Sequence, residues 1–423
     1  MRTIKARNLD LSALVQPGDS VVVGQGCGEP TTLTELLAQQ CSALDGVSVF
    51  LGMTLSNHFT VEVTKHLHLM SYGAVGVTRA LAGAGKLSIL PCHMSQLVSF
   101  LTSGGIACDV ALIQVSGPDA MGQYSLGLSS DYTYAAAMAA RVVIAELNPQ
   151  VPVTRCAQYL SEKDIDVLVE ATRSPLELPP ANIGLVERSI CHHAQTYIED
   201  GATLQMGVGA VPEAMLASLG DRRGLGVHSG MLGDSMLDLI ESGAVDNANK
   251  GRDDGINVCC TVLGTKRLFD FVNDNAAVRM HPLSYTHNFE VLASLSRFVS
   301  INSAIEVDLT GQINAEVAAG QYVGAIGGQV DYVRAAAASE GGCSIIALPS
   351  VAAGGRVSRV VSNLSGPVTT ARSDVDVVIT EHGAAELKGK TLMQRVQAML
   401  DIADPAFRDQ LEEASRGIAG LLH

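Results

Sequence analysis

Residues 19–38 read DSVVVGQGCGEPTTLTELLA, and residues 201–220 read GATLQMGVGAVPEAMLASLG. Each opens with a short apolar run suited to a buried strand. Each then passes through a glycine-rich turn, meets a proline and continues as an amphipathic helix. Gly28-Glu29-Pro30 corresponds to Gly209-Ala210-Val211-Pro212 with one residue inserted. Two unrelated strand-turn-helix units also read this way, so the echo leaves two readings open. If it is a true repeat, the chain holds two related halves. The site then lies between them, near the carboxyl ends of their strands.

The pattern extends along the chain. Strand-like runs recur at 20–23, 47–51, 110–115, 141–146, 258–262, 344–347 and 375–380. Helical periodicity falls at 33–43, 185–199, 211–219, 231–241 and 392–400. Strands that are apolar throughout and alternate with helices predict parallel sheets buried on both faces. The segment RSPLELPPANIG at 173–184 carries three prolines and a glycine, which resist both helix and sheet. It sets the expected division into domains at 1–178 and 179–423. The expected fold class is α/β, with two similar domains of parallel-rich sheets flanked by helices and the site in the cleft between them.

Composition narrows the function. The 423 residues are 47% hydrophobic and 17% charged, which excludes a disordered chain. Aromatics are 4% with no Trp, and the net charge is −15. Stacking platforms for nucleic acid are scarce, and DNA or an anionic membrane is disfavoured as a partner. No run approaches the ~18 apolar residues of a membrane span, and MRTIKARNLDLSALV lacks the apolar core of a secretory signal. A cytoplasmic location is expected. The nine cysteines lack metal-ligand spacing and read as reduced, buried thiols. Cys191-His192-His193 falls on a predicted helix, where neighbours point apart, so no metal site is assigned.

Four segments offer chemistry. QMGVGAVP at 205–212 presents Gly207 and Gly209 for close approach of a ligand to the backbone, with a helix N-terminus beginning near Pro212. YVGAIGGQVDYVR at 322–334 places Gly324, Gly327 and Gly328 before a helix, a turn suited to an oxyanion. GVHSGMLGD at 226–234 holds His228, Ser229 and Asp234, but adjacent side chains diverge in extended backbone, which argues against a triad. Near the C-terminus, Lys388 and Lys390 bracket a glycine before a helix, which suits a phosphate. An ordinary turn or a solvated basic loop explains each of these segments as well.

Read together, these segments resemble the acetyl-CoA hydrolase/transferase family, a branch of the class I CoA-transferases that includes 4-hydroxybutyrate, butyrate and itaconate CoA-transferases. The resemblance rests on 21–30, 205–212 and 226–234, on VLGTKRLFDFVNDN at 262–275 and on VSINSAIEVDLTGQINAE at 299–316. It continues through 326–334, GGCSIIALP at 341–349 and VDVVITEHGAAELKGKTLMQR at 375–395. It implies a CoA thioester as substrate, a small carboxylic acid as acceptor, no permanently bound cofactor, and a homodimer or homotetramer. It implies CoA binding by Gly207, Val208, Gly209, Ala210 and Val211, an oxyanion turn at Gly327 and Gly328, and a CoA-binding role for Lys388. It also implies covalent catalysis, in which a Glu carboxylate attacks the thioester, CoA returns to that Glu, and the acceptor collects it.

The sequence departs from the family where that Glu belongs. The turn reads His228-Ser229-Gly230-Met231, and glycine cannot form the acyl intermediate. Glu62, in TLSNHFTVEVTKHL, is the first candidate to replace it, because it follows a strand by one loop and stands between two valines. Glu29 is the second. A surface position for Glu62 and a helix-capping role for Glu29 are the plainer readings. If no carboxylate replaces it as nucleophile, the protein is an acyl-CoA hydrolase whose water is activated by Glu62, Glu29 or His228, a silent acyl-CoA binder, or a structural subunit. A pocket widened by Gly230 is also expected.

Overall fold

The echoing segments fold alike in the computed structural model, which describes residues 1–418. Strand Ser20–Val23 leads through a glycine turn into helix Thr31–Gln39, and strand Thr203–Met206 leads into helix Ala210–Ala217. Each strand belongs to its own sheet. The first sheet has eight strands, all parallel, in the spatial order Arg2–Lys5, Val167–Glu170, Val142–Leu147, Val110–Val115, Ser20–Val23, Ser48–Leu51, His68–Ser71 and Ser88–Ile89. The second has six, in the order Gly226–Val227, Thr203–Met206, Phe298–Asn302, Cys343–Ala347, Val377–Thr380 and Gly383–Glu386. Only its last pair is antiparallel.

Helices cover the sheets, so the central strands are buried on both faces. Val110–Val115 is buried at all six positions, which is why it reads as an unbroken apolar run. Each fully buried Val, Leu or Ile contributes ~1.5–3 kcal/mol relative to exposure. Among the described residues, no helix is long and apolar enough to cross a membrane.

The halves are stitched together by main chain. Ala74 N–H donates to Gly324 O at 2.8 Å, Met94 N–H to Gly327 O at 2.9 Å, and Ser130 N–H to Cys260 O at 2.8 Å. Glycine allows this approach, because a Cβ on Gly73 would lie 2.3 Å from the Cβ of Ala325. Ser95 adds a side-chain bond of 2.7 Å to Asp331.

Strand pairing changes two of the predicted elements. The run 258–262 is not one strand: Asn257–Cys259 pairs with Val278–Met280, while Thr261–Val262 pairs with Met231–Leu232. Cys260 stands at the change of partner. The predicted helix at 231–241 starts only at Asp234, because Met231–Leu232 is held extended by that pairing.

Candidate active site

A cavity of about 310 Å³ opens where the halves meet. It lies at the carboxyl ends of strands from both sheets. Gln25 and Gly26 follow Ser20–Val23, Met53 follows Ser48–Leu51, and Tyr72 follows His68–Ser71. From the other side, Gly207 and Val208 follow Thr203–Met206, and Ser303 follows Phe298–Asn302. The two echoing turns are therefore opposite walls of one cavity. Met94, Met206, Met231, Leu263 and Ile326 make much of the lining apolar, and no Asp, Glu, Lys or Arg is among the lining residues.

The polar groups are firmly held. Gln25 Oε1 accepts from Tyr72 Oη and from Met53 N–H, both at 2.9 Å, and its Nε2 donates to the buried Asp131 at 2.5 Å. Gln205 and Asn302 pair through their amides at 3.1 Å. Gly327 and Gly328 line the cavity just before helix Gln329–Ala338. Gly327 is taken up in a parallel bridge with His93, and the Gly328 N–H donates to no protein acceptor among the described residues. Gln329 Oε1 is buried there without a partner.

Gly230 also lines the cavity, but it opens no space. A Cβ built on it would lie 2.9 Å from Tyr332 Oη and 3.0 Å from His287 Cε1. The two rings, with centroids 4.6 Å apart, fill the volume a longer side chain would need, which corrects the expectation of a widened pocket. Burial lowers the His287 imidazole to about 3. Cys260 donates its thiol to Gly230 O at 2.9 Å, and burial pushes that thiol up to about 12, so it is held as a donor rather than a nucleophile.

Of the residues singled out in the sequence, Gly207, Val208, Gly327 and Gly328 line the cavity. Gly209 precedes helix Ala210–Ala217 with φ +129°, a conformation open to glycine, and Ala210 and Val211 form that helix's first turn.

Glu62 lies elsewhere. Its side chain is 75% exposed and pairs with Lys65 at 2.5 Å. Phe59 and Val63 are the residues of this loop that turn inward. The expectation of a desolvated, cleft-facing Glu62 is corrected accordingly. Glu29 is buried, but its carboxylate is taken up by the Thr34 hydroxyl and the Leu55 and Ser56 N–H groups of the neighbouring loop, outside the cavity lining, and the helix that follows is capped instead by Glu146, which accepts from Thr32 and Leu33 N–H.

Lys388 also lies away from the cavity. It follows the antiparallel strand Gly383–Glu386, whose end returns to the amino edge of the sheet. It sits 3.6 Å from Asp376 and donates to Ala337 O at 3.4 Å. That is the C-terminal end of helix Gln329–Ala338, ~15 Å along its axis from the cavity. A cation there complements the helix dipole.

His228, Ser229 and Asp234 do not meet as a triad. Both ring nitrogens of His228 lack partners, Ser229 Oγ bonds the main chain of Met206, and Asp234 accepts from Thr265 at 2.7 Å. Glu213 and Asp234 line a side slot of about 30 Å³ beside the cavity. Glu213 there accepts from Ala181 N–H at 2.6 Å, and burial raises its carboxyl. Among the described residues, no group of three His, Cys, Asp or Glu is placed to hold a metal ion. Sequence reading missed Gln25, Asn302, His287 and Tyr332. Gln25 had a local signal in the echoing turn, and Asn302 and Tyr332 lie inside the 299–316 and 322–334 segments, whereas His287 had none.

A cleft between two parallel-sheet halves, lined by paired glycine turns, defines a two-domain α/β protein of the CoA-transferase fold. The acetyl-CoA hydrolase/transferase N-terminal domain matches residues 5–177 and the C-terminal domain of the same name matches residues 264–415. The chain is 39% identical over 395 residues to the 4-hydroxybutyrate coenzyme A transferase of Clostridium kluyveri, covering 92% of each chain. It is 34% identical to the succinyl-CoA:cyclohexane-1-carboxylate CoA transferase of Geobacter metallireducens, covering 96% of this chain and 94% of that one. The crystal structure of RipA from Yersinia pestis superposes with a TM-score of 0.92 at 32% identity, over 98% of this chain and 97% of that one. The chain belongs to the acetyl-CoA hydrolase/transferase family.

Proposed function

We propose that the protein transfers CoA from an acyl-CoA to a small carboxylic acid, and that both acids carry no charge beyond the reacting carboxylate. Full-length similarity to named CoA-transferases supports the reaction. The single observation that carries the substrate class is the uncharged cavity lining. A second carboxylate on either acid would enter without a cation to meet it, and an unpaired buried charge costs several kcal/mol. Acyl chains that are apolar, or that carry only neutral polar groups, suit methionine walls and the Gln25 and Asn302 amides.

With Gly230 at the family's nucleophile position and no carboxylate in the lining, the attacking carboxylate is the acceptor's own. Its oxygen attacks the thioester carbonyl. The C–S bond breaks, leaving CoA thiolate and a mixed anhydride of the two acids. The thiolate then attacks the acceptor-side carbonyl and releases the donor acid with the bridging oxygen. The turn 207–211 and its helix N-terminus suit an anionic part of CoA. A homodimer or homotetramer accompanies this reading, checked by light scattering.

Hydrolysis is the second reading, favoured by the same carboxylate-free lining, because water then meets no competing enzyme nucleophile. An acyl-CoA panel assayed with and without acetate separates the two. Transfer predicts new acyl-CoA only when acceptor is present; equal thiol release in both arms overturns it.

A further inference from the structure

His287 is wedged between the two glycines that face the cavity. A Cβ on Gly328 would lie 2.5 Å from His287 Nε2, and one on Gly230 would lie 3.2 Å from it. The side chain is buried, yet it lines the cavity. Its Nδ1 stands 2.9 Å from Thr286 Oγ1 and 3.3 Å from Tyr332 Oη. Its Nε2 has no hydrogen-bond partner among the described residues.

Tyr332 favours one tautomer. That hydroxyl is buried and has no other hydrogen-bond partner among the described residues. A buried hydroxyl that donates to nothing is costly, and Nδ1 is the protein acceptor within its reach among the described residues. Thr286 is compatible with this, since its hydroxyl has Nδ1 and Pro282 O within reach. With Nδ1 accepting, the ring proton is on Nε2 and points into the cavity. The free N–H of Gly328 lies on the same wall.

Resting on the reading that this cavity takes a thioester, we propose that neutral His287 donates its Nε2–H to the thioester carbonyl oxygen, completing with the Gly328 N–H an oxyanion site on that wall of the cavity. No proton is transferred. The bond strengthens as negative charge develops on the oxygen during attack, whichever nucleophile attacks. The depressed basicity of the buried ring keeps it a neutral donor across the working pH range.

The test joins spectroscopy with kinetics. Nitrogen-15 histidine spectra of the wild type should give the Nε2–H tautomer for His287. A ketone analogue of an acyl-CoA, with methylene in place of sulfur, should shift that proton downfield. His287→Phe should lower kcat ~100-fold with KM for the acyl-CoA changed less than about threefold, and His287→Gln, which keeps an N–H, should recover part of the loss. An Nδ1–H tautomer, a proton unmoved by the analogue, or a His287→Phe enzyme within about threefold of wild-type kcat overturns the proposal. If His287→Phe does not fold, the wild-type spectra decide. A wild type that neither transfers nor hydrolyses refutes the functional reading alone, because the analogue shift is read without turnover.

Discussion

Placing at position 230 the glutamate that the family resemblance implies should damage this protein rather than improve it. The backbone there tolerates a side chain, since Gly230 is not among the positive-φ glycines. The obstacle is space. Ordinary contact begins near 3.4 Å, and a Cβ would stand 2.9 Å from Tyr332 Oη and 3.0 Å from His287 Cε1, closer than that by 0.5 and 0.4 Å. Gly230→Ala should therefore cost about 1–2 kcal/mol, typical of overpacking. For halves of this size that lowers Tm by roughly 2–8 °C. Gly230→Glu adds a carboxylate among uncharged walls, and an unpaired buried charge adds ~3–5 kcal/mol more. The Gly230→Glu/His287→Ala double variant makes room and should regain much of the steric part. Thermal melts and an acyl-CoA:acetate exchange assay measure both effects. A Gly230→Glu protein as stable as wild type, with faster exchange and a glutamyl-CoA adduct by intact mass, would refute the reasoning.

Glu62→Gln should leave the rate within about twofold of wild type, because an exposed pair such as Glu62–Lys65 contributes ~0–1 kcal/mol and stands outside the cavity; a large loss of kcat would return Glu62 to the mechanism. Succinate should be a poorer acceptor than butyrate by ~100-fold or more in kcat/KM, the penalty for an unpaired buried carboxylate; equal values would contradict the uncharged-acid reading. Alkali should destabilise the fold. Burial raises the thiols of Cys27, Cys108, Cys260 and Cys343 from 9.0 to about 12, so the unfolded chain loses these protons first and stability is lost as pH rises from 9 towards 12. Lys250, lowered by burial from 10.5 to about 8, acts oppositely between those values, but as one group against four. Urea melts at pH 8, 9 and 10 should show the decline, and a flat profile would contradict it.

Much of the architecture was legible because it depends on local sequence. The strands at 20–23 and 110–115 fall where their apolar runs place them, and both glycine turns line the cavity. The site's chemistry was less legible because it depends on distant pairings. His287 carries no motif, Tyr332 stands near the end of the 322–334 segment without a signal of its own, and only folding brings them against Gly230. Glu62 was misread as desolvated between its two valines. The segment enters a short 3-10 turn, which sends Phe59 and Val63 inward and leaves Glu62 outside. Lys388 was misread because GAAE lacks strand-forming residues, so the antiparallel return that carries the lysine to the opposite edge had no sequence signal. The helix expected at 231–241 lost its first turn to pairing with Thr261–Val262, a partner also invisible locally.

The central claim is that the acceptor's carboxylate attacks directly in a cavity without an enzyme carboxylate. A single-turnover reaction with carboxylate-¹⁸O acceptor and enzyme in excess tests it. The account predicts one ¹⁸O in the released donor acid and none in the protein. Label retained in a Glu or Asp of the protein, or solvent oxygen in the donor acid with free CoA released, would contradict it.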